Sequence, residues 1–159
     1  MRFTLNGKEV VEAVDPNETL LDFLRSRLKM TSVKNGCDVG ECGTCTVLLN
    51  GKPVRSCLML AIQAESKEVT TLEGLTKGGE LNVIQEAFLE KYGFQCGFCT
   101  PGMILATKAL LDQNPAPGLD SINEALEGNL CRCTGYEQII ESVRRAAELV
   151  QQNMTGTGD

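Results

Sequence analysis

The 159-residue chain has no histidine. That excludes a Rieske centre, whose second iron needs two imidazoles, and leaves sulfur to hold whatever metal binds. A G-x-G-x-x-G fingerprint, a P-loop and a nucleophile–base pair are missing too, so no substrate site is expected on this chain and no catalytic residue is assigned. No apolar run approaches the ~20 residues that span a bilayer, which argues against direct membrane insertion. The net charge is −6 and there is no long basic run, so a nucleic-acid partner is not expected. Met1-Arg2-Phe3-Thr4-Leu5-Asn6 has no apolar h-region of the kind a signal peptide carries. Eight cysteines then fit a reducing compartment, the cytoplasm, and a metal role.

Cys37, Cys42 and Cys45 stand at C-x4-C-x2-C spacing, the ligand run of a plant-type [2Fe–2S] ferredoxin loop, and Cys57 supplies the fourth thiolate. Iron in such a cluster is tetrahedral and soft, so the loop must wrap to deliver thiolates from several directions. Gly36, Gly40 and Gly43 permit the wrapping and let backbone amides approach an anion. Zinc would also accept four thiolates, but it usually takes two C-x2-C knuckles. An even cysteine count also permits disulfides.

A chain of this length is one ordinary domain or two very small ones, whose modest cores make metal staples matter. Arg2 to Asn6 alternates apolar and polar, Asn6-Gly7 is a turn signal, and Lys8 to Val14 returns, giving a β-hairpin. Thr19 and Asp22 open a helix over Leu20–Leu28, with Leu20, Leu21, Leu24 and Leu28 as its core stripe. Val47-Leu48-Leu49, the turn Asn50-Gly51 and the return Pro53–Arg55 form a second hairpin, and Val69-Thr70-Thr71 a last strand. These elements make a small mixed sheet packed on one helix.

Gly74–Gly79 carries turn residues without periodicity and marks a boundary. Beyond it the pattern is helical. Leu81, Ile84, Phe88 and Tyr92 share a face up to Gly93; Thr100-Pro101 starts a helix that stops at Asn114-Pro115, with Met103, Ile104, Ala106, Leu110 and Leu111 buried. Ser121 and Glu124 form a capping box for a short helix closed by Gly128. Thr134 and Glu137 form another, opening the longest helix along Tyr136, Ile139, Ile140, Val143, Ala147 and Val150. Four helices make a small bundle.

That half holds the other cysteines, as Cys96-Gly97-Phe98-Cys99 and Cys131-Arg132-Cys133. Alone, these could bind zinc or form a redox pair. Both pairs fall just before expected helix starts, where free amides and the macrodipole favour an anionic cluster. Arg132 offsets cluster charge. Each set of four cysteines lies wholly on one side of Gly78.

Asn35-Gly36-Cys37-Asp38-Val39-Gly40-Glu41-Cys42-Gly43-Thr44-Cys45, Gln95-Cys96-Gly97-Phe98-Cys99-Thr100-Pro101-Gly102 and Gly128-Asn129-Leu130-Cys131-Arg132-Cys133-Thr134-Gly135-Tyr136 resemble the small iron–sulfur subunit of the molybdenum hydroxylases, relatives of xanthine dehydrogenase, aldehyde oxidoreductase and aerobic carbon monoxide dehydrogenase. The likeness spans roughly residues 2 to 152 and all eight cysteines. It implies an α+β fold: a β-grasp, plant-type ferredoxin-like domain over 1–76 and a four-helix-bundle [2Fe–2S]-binding domain over 77–154, while the residues Thr155-Gly156-Thr157-Gly158-Asp159 themselves predict a disordered tail over 155–159. It further implies two [2Fe–2S] clusters, relaying electrons from a molybdopterin cofactor on a large partner subunit to FAD or another acceptor on a further partner, with a medium FAD-binding subunit in a heterotrimer or its dimer. The positions matching Gln95 and Cys133 approach the pterin in that family. A free-standing two-cluster ferredoxin and a zinc-stabilised interaction module are the rival readings, told apart by partners and by colour.

Overall fold

The computed structural model describes residues 1–76 and 78–155, the side chain of Thr155 excepted. Strands β1 (Arg2–Leu5) and β2 (Lys8–Val11) turn at Asn6-Gly7, whose φ angles of 52° and 78° suit the right-handed twist of a two-residue hairpin. Strands β3 (Thr46–Leu49) and β4 (Lys52–Arg55) repeat this at Asn50-Gly51, with φ of 49° and 77°. β2 ends at Val11, short of the expected Val14: it is an edge strand, and Val11 is itself exposed. Strand β5 (Glu68–Thr70) runs parallel to β1 and antiparallel to β3, giving the mixed order β2-β1-β5-β3-β4. This is the β-grasp sheet of the N-terminal half.

The expected Leu20–Leu28 helix forms differently. Thr19 caps it, accepting from the Asp22 N–H at 3.0 Å, but only Leu20–Asp22 (α1) is α-helical, and Phe23–Arg27 widens into a π-turn. The wider turn buries Leu20, Leu21, Phe23 and Leu24 together against Phe3, Val47 and Val69, and leaves Leu28 at the margin. Phe23, which the expected stripe did not include, is fully buried beside Leu24. Arg27 lies over its ring, 5.4 Å from the centroid.

The helical half contains α2 (Val83–Glu90), α3 (Thr100–Gln113), α4 (Leu119–Leu126) and α5 (Glu137–Thr155). α2 is shorter than expected. Its end is a Schellman motif, in which Gly93 N–H reaches Phe88 O at 2.9 Å and Tyr92 N–H reaches Leu89 O, with Tyr92 itself at φ 56°. Tyr92 therefore points to solvent instead of continuing the stripe. α4 starts at Gly118, not at a Ser121 cap, so Ser121 lies inside the helix. Thr155 closes α5, whereas the rest of the expected tail, 156–159, lies outside the described residues.

A second core joins the halves. Val47 packs with Phe3 and the first helix, while its neighbour Leu48 packs with Met103, Leu105 and α5 on the opposite face. β3 is thus covered on both sides, which is why Thr46, Val47 and Leu48 are all buried and the strand does not alternate.

Glu73 ties the end of the first half together, accepting from the Ser32 hydroxyl and N–H and from the Thr71 hydroxyl. Burial pushes its pKa up, but these hydrogen bonds outweigh that and leave it lowered. A carboxylate depressed in the fold contributes stability above its unfolded pKa and loses it as pH falls through the folded value. The urea midpoint of Glu73→Gln is therefore expected to lie below wild type at neutral pH, with the gap closing in acid. A gap constant with pH would contradict the assignment.

Candidate metal centres

The Cys37–Cys45 loop curls through Asp38, Gly40 and Gly43, all at positive φ, and this turns amides inward. The Cys42 N–H lies 3.4 Å from Cys37 Sγ. Amides of Cys42 first, then Val39, with the Cys42 side chain and the Glu41 amide, lower the Cys37 thiol to about 7 against a slight opposing desolvation. The loop is a cradle for anionic sulfur. β4 returns in the register that pairs Arg55 with Thr46, bringing Cys57 onto Cys45 across a short 3₁₀ turn. Burial, and then the hydrogen bond and charge it shares with Cys45, push the Cys57 thiol up to about 11.

In the helical half the cap of α3 is Cys99 itself; Thr100 is the first helical residue rather than the cap. Among the described residues, the Thr100 hydroxyl is the buried side-chain oxygen or nitrogen without a hydrogen-bond partner. Burial first, then Cys131, pushes the Cys99 thiol up to about 12. Thr134 does not cap α5 either. Its hydroxyl lies 3.2 Å from Cys131 Sγ and its N–H 3.5 Å, so these two donors overcome the burial of Cys131 and lower its pKa. Because α5 begins at Glu137, Cys133 is not at a helix N-terminus as expected, and side-chain and loop donors take the place of the dipole. Cys133 Sγ lies 3.6 Å from Cys96 Sγ, and both are exposed, as are Gln95 and Arg132.

The sulfurs meet in pairs: Cys37 with Cys42, Cys45 with Cys57, Cys96 with Cys133, and Cys99 with Cys131. The pairs then approach each other within a set, through Cys37 and Cys57 and through Cys96 and Cys99. Two thiolates per iron is what a two-iron, two-sulfide rhomb requires, whereas a zinc ion needs four donors on one centre. Among the described residues no three such side chains converge on one ion. Crowded thiols that resist ionisation are relieved by a cationic metal, so the residues present fit two binuclear clusters.

Sequence reasoning missed the residues that join the two loops or brace one of them. Leu130, the neighbour of Cys131, donates its N–H to the carbonyl of Cys42 at 2.9 Å. The Tyr136 hydroxyl, read only as part of a core stripe, accepts from the Cys131 N–H at 3.0 Å and donates to Asn129 O. Arg55 reaches across to Gly128 O. For Arg55, a polar residue two positions from a cysteine was the available signal, but nothing local says what it will meet.

Models of known families match both halves: a 2Fe-2S iron-sulfur cluster binding domain over residues 3–74 and a [2Fe-2S] binding domain over residues 71–144. The nicotinate dehydrogenase small FeS subunit of Eubacterium barkeri is 51% identical over 148 residues, covering 93% of this chain and 94% of that protein. The chain belongs to the small iron–sulfur subunits of the molybdenum hydroxylases. Within that family, the xanthine dehydrogenase iron-sulfur-binding subunit of Escherichia coli O157:H7 is 48% identical over 88% of this chain and 89% of its own. A crystal structure of quinoline 2-oxidoreductase from Pseudomonas putida 86 contains a chain with 46% identity and a TM-score of 0.91, the match covering 96% of both chains. As a small iron–sulfur subunit, the protein carries two 2Fe-2S-binding domains and transfers electrons within a multi-subunit oxidoreductase. Among the described residues no helix is long and apolar enough to cross a membrane.

Proposed function

We propose that Cys37, Cys42, Cys45 and Cys57 hold one cluster in a domain over 1–76, and that Cys96, Cys99, Cys131 and Cys133 hold the other in a domain over 77–154. The observation that carries this is the pairing of the sulfurs, two by two, into two separate sets of four. Each cluster, when bound, takes up and passes on one electron. The chain's own residues shelter one side of each centre, through buried Cys45 and Cys57 and buried Cys99, and leave the other side half-buried at Cys37 and Cys42 and exposed at Cys96 and Cys133. A less sheltered edge on each centre and a hydrogen-bonded seam between the two loops suit a relay that receives electrons from one partner and passes them to another.

The partners are a large molybdopterin-binding subunit and a medium FAD-binding subunit, in a heterotrimer or its dimer in the cytoplasm, and the substrate pocket lies on another chain. The helical domain faces the pterin and the N-terminal domain faces the flavin. Gln95 is exposed beside Cys96, and its amide offers both a donor and an acceptor to a pterin edge; Cys133 presents its sulfur on the same side. In the assembled complex, Gln95→Ala is expected to slow reduction of the helical-domain cluster by substrate while leaving exchange between the N-terminal cluster and flavin nearly unchanged. The reverse pattern, or a structure of the complex with Cys42 nearer the pterin than Cys133, would show the relay running the other way.

A further inference from the structure

We infer that Arg55 is the positioning residue that fixes the two cluster-binding loops against each other and so sets the electronic coupling between the centres; this rests on the ligand assignment above. Arg55 stands at the end of β4, opposite Thr46 and two residues before Cys57. One arm of its guanidinium, Nη1, donates to Thr46 Oγ1 at 2.8 Å, within the N-terminal half. The other arm, Nη2, donates to the carbonyl of Gly128, three residues before Cys131. The planar fork therefore spans the seam.

What lies beneath the fork has little freedom. The Thr46 hydroxyl is buried and shares its single proton between Gly43 O at 2.7 Å and Asn129 Oδ1 at 3.1 Å, while its lone pair receives Arg55. Asn129 is only 3% exposed. A Cβ at Gly128 would collide with Arg55 Nη2, one at Gly43 would collide with Gly128 O, and one at Gly102 would come within 2.6 Å of Gly43 O. Backbone from both loops is thus in direct contact, with Leu130 N–H on Cys42 O close by. Among the described residues no carboxylate pairs with Arg55, so its hydrogen bonds all go to the seam rather than to a counter-ion. Lysine retains the charge but cannot hold two acceptors in one plane.

In the step so affected, one electron leaves the reduced centre and enters the oxidised one, with no bond made or broken. The test uses the intact complex with Arg55→Gln and Arg55→Lys, and reads three quantities: the magnetic splitting between the two reduced clusters, the midpoint potential of each, and the inter-cluster electron-transfer rate after a rapid reducing pulse. Arg55→Gln is expected to keep both paramagnetic signals, lose most of the splitting and slow the transfer severalfold, because the two loops are then free to separate. Arg55→Lys is expected to hold both potentials near wild type while recovering only part of the splitting and rate, and it decides the matter alone if the glutamine variant does not assemble. Wild-type splitting and rate in either variant, with both signals intact, would overturn the inference. Absence of a second signal from the unmodified complex would instead refute the ligand assignment on which it rests.

Discussion

Replacing Cys42 by alanine is expected to erase one of the two paramagnetic signals of the reduced protein and to leave the other with its g values unchanged. Cys42 pairs with Cys37, and without its sulfur one iron of that centre keeps a single thiolate. The helical set, Cys96, Cys99, Cys131 and Cys133, makes its sulfur contacts within itself and is untouched. The substitution also spares the seam, since Leu130 binds the backbone carbonyl of residue 42 and not its side chain. Iron should fall from about four to about two per chain, the content of one lost binuclear centre. Loss of both signals from a protein that remains folded would mean that the two sets share ligands.

The second large effect is expected at Gly43, where alanine faces two separate penalties. Its φ of 71° lies in the left-handed region, which costs a residue with a side chain about 1–2 kcal/mol. Its Cβ would also meet Gly128 O, Asn129 Oδ1 and, at 2.8 Å, Asn129 Cα, all held in the seam. Overpacking of this kind adds about 1–3 kcal/mol, for a total of about 2–5 kcal/mol. Gly51→Ala separates the two terms, because Gly51 has a φ of 77° and nothing within 4 Å of its Cβ position. Unfolding of the two variants should show the larger loss at Gly43, with the binding of both clusters impaired. Equal losses would show that backbone strain alone decides, and that the seam yields.

The parts of this protein legible in its sequence are those governed by local rules. Asn6-Gly7 and Asn50-Gly51 announced their hairpins because the twisted two-residue turn needs positive φ at both positions. The spacing of Cys37, Cys42 and Cys45 announced a cluster loop because three thiolates on one short wrap leave few other arrangements. Helix ends were less legible. At Cys99–Thr100 the cysteine itself takes the cap position, and at Thr134 the hydroxyl gives its proton to Cys131 sulfur and accepts from the Tyr136 N–H, so it braces the loop ahead of a helix that begins only at Glu137. The π-turn at Phe23–Arg27 was hidden because its register is chosen by Phe3, Val47 and Val69, which are distant in sequence. The same holds for the seam: Arg55 and Asn129 are 74 positions apart, and the packing of Leu48 and Leu75 with the helices helps to bring their loops together.

Rapid-freeze paramagnetic resonance of the intact complex during substrate oxidation tests the relay most directly. If the chain passes electrons through two [2Fe–2S] centres in series, two distinct signals appear on mixing, each forming at least as fast as the complex turns over. Steady turnover with one centre remaining oxidised throughout would contradict it.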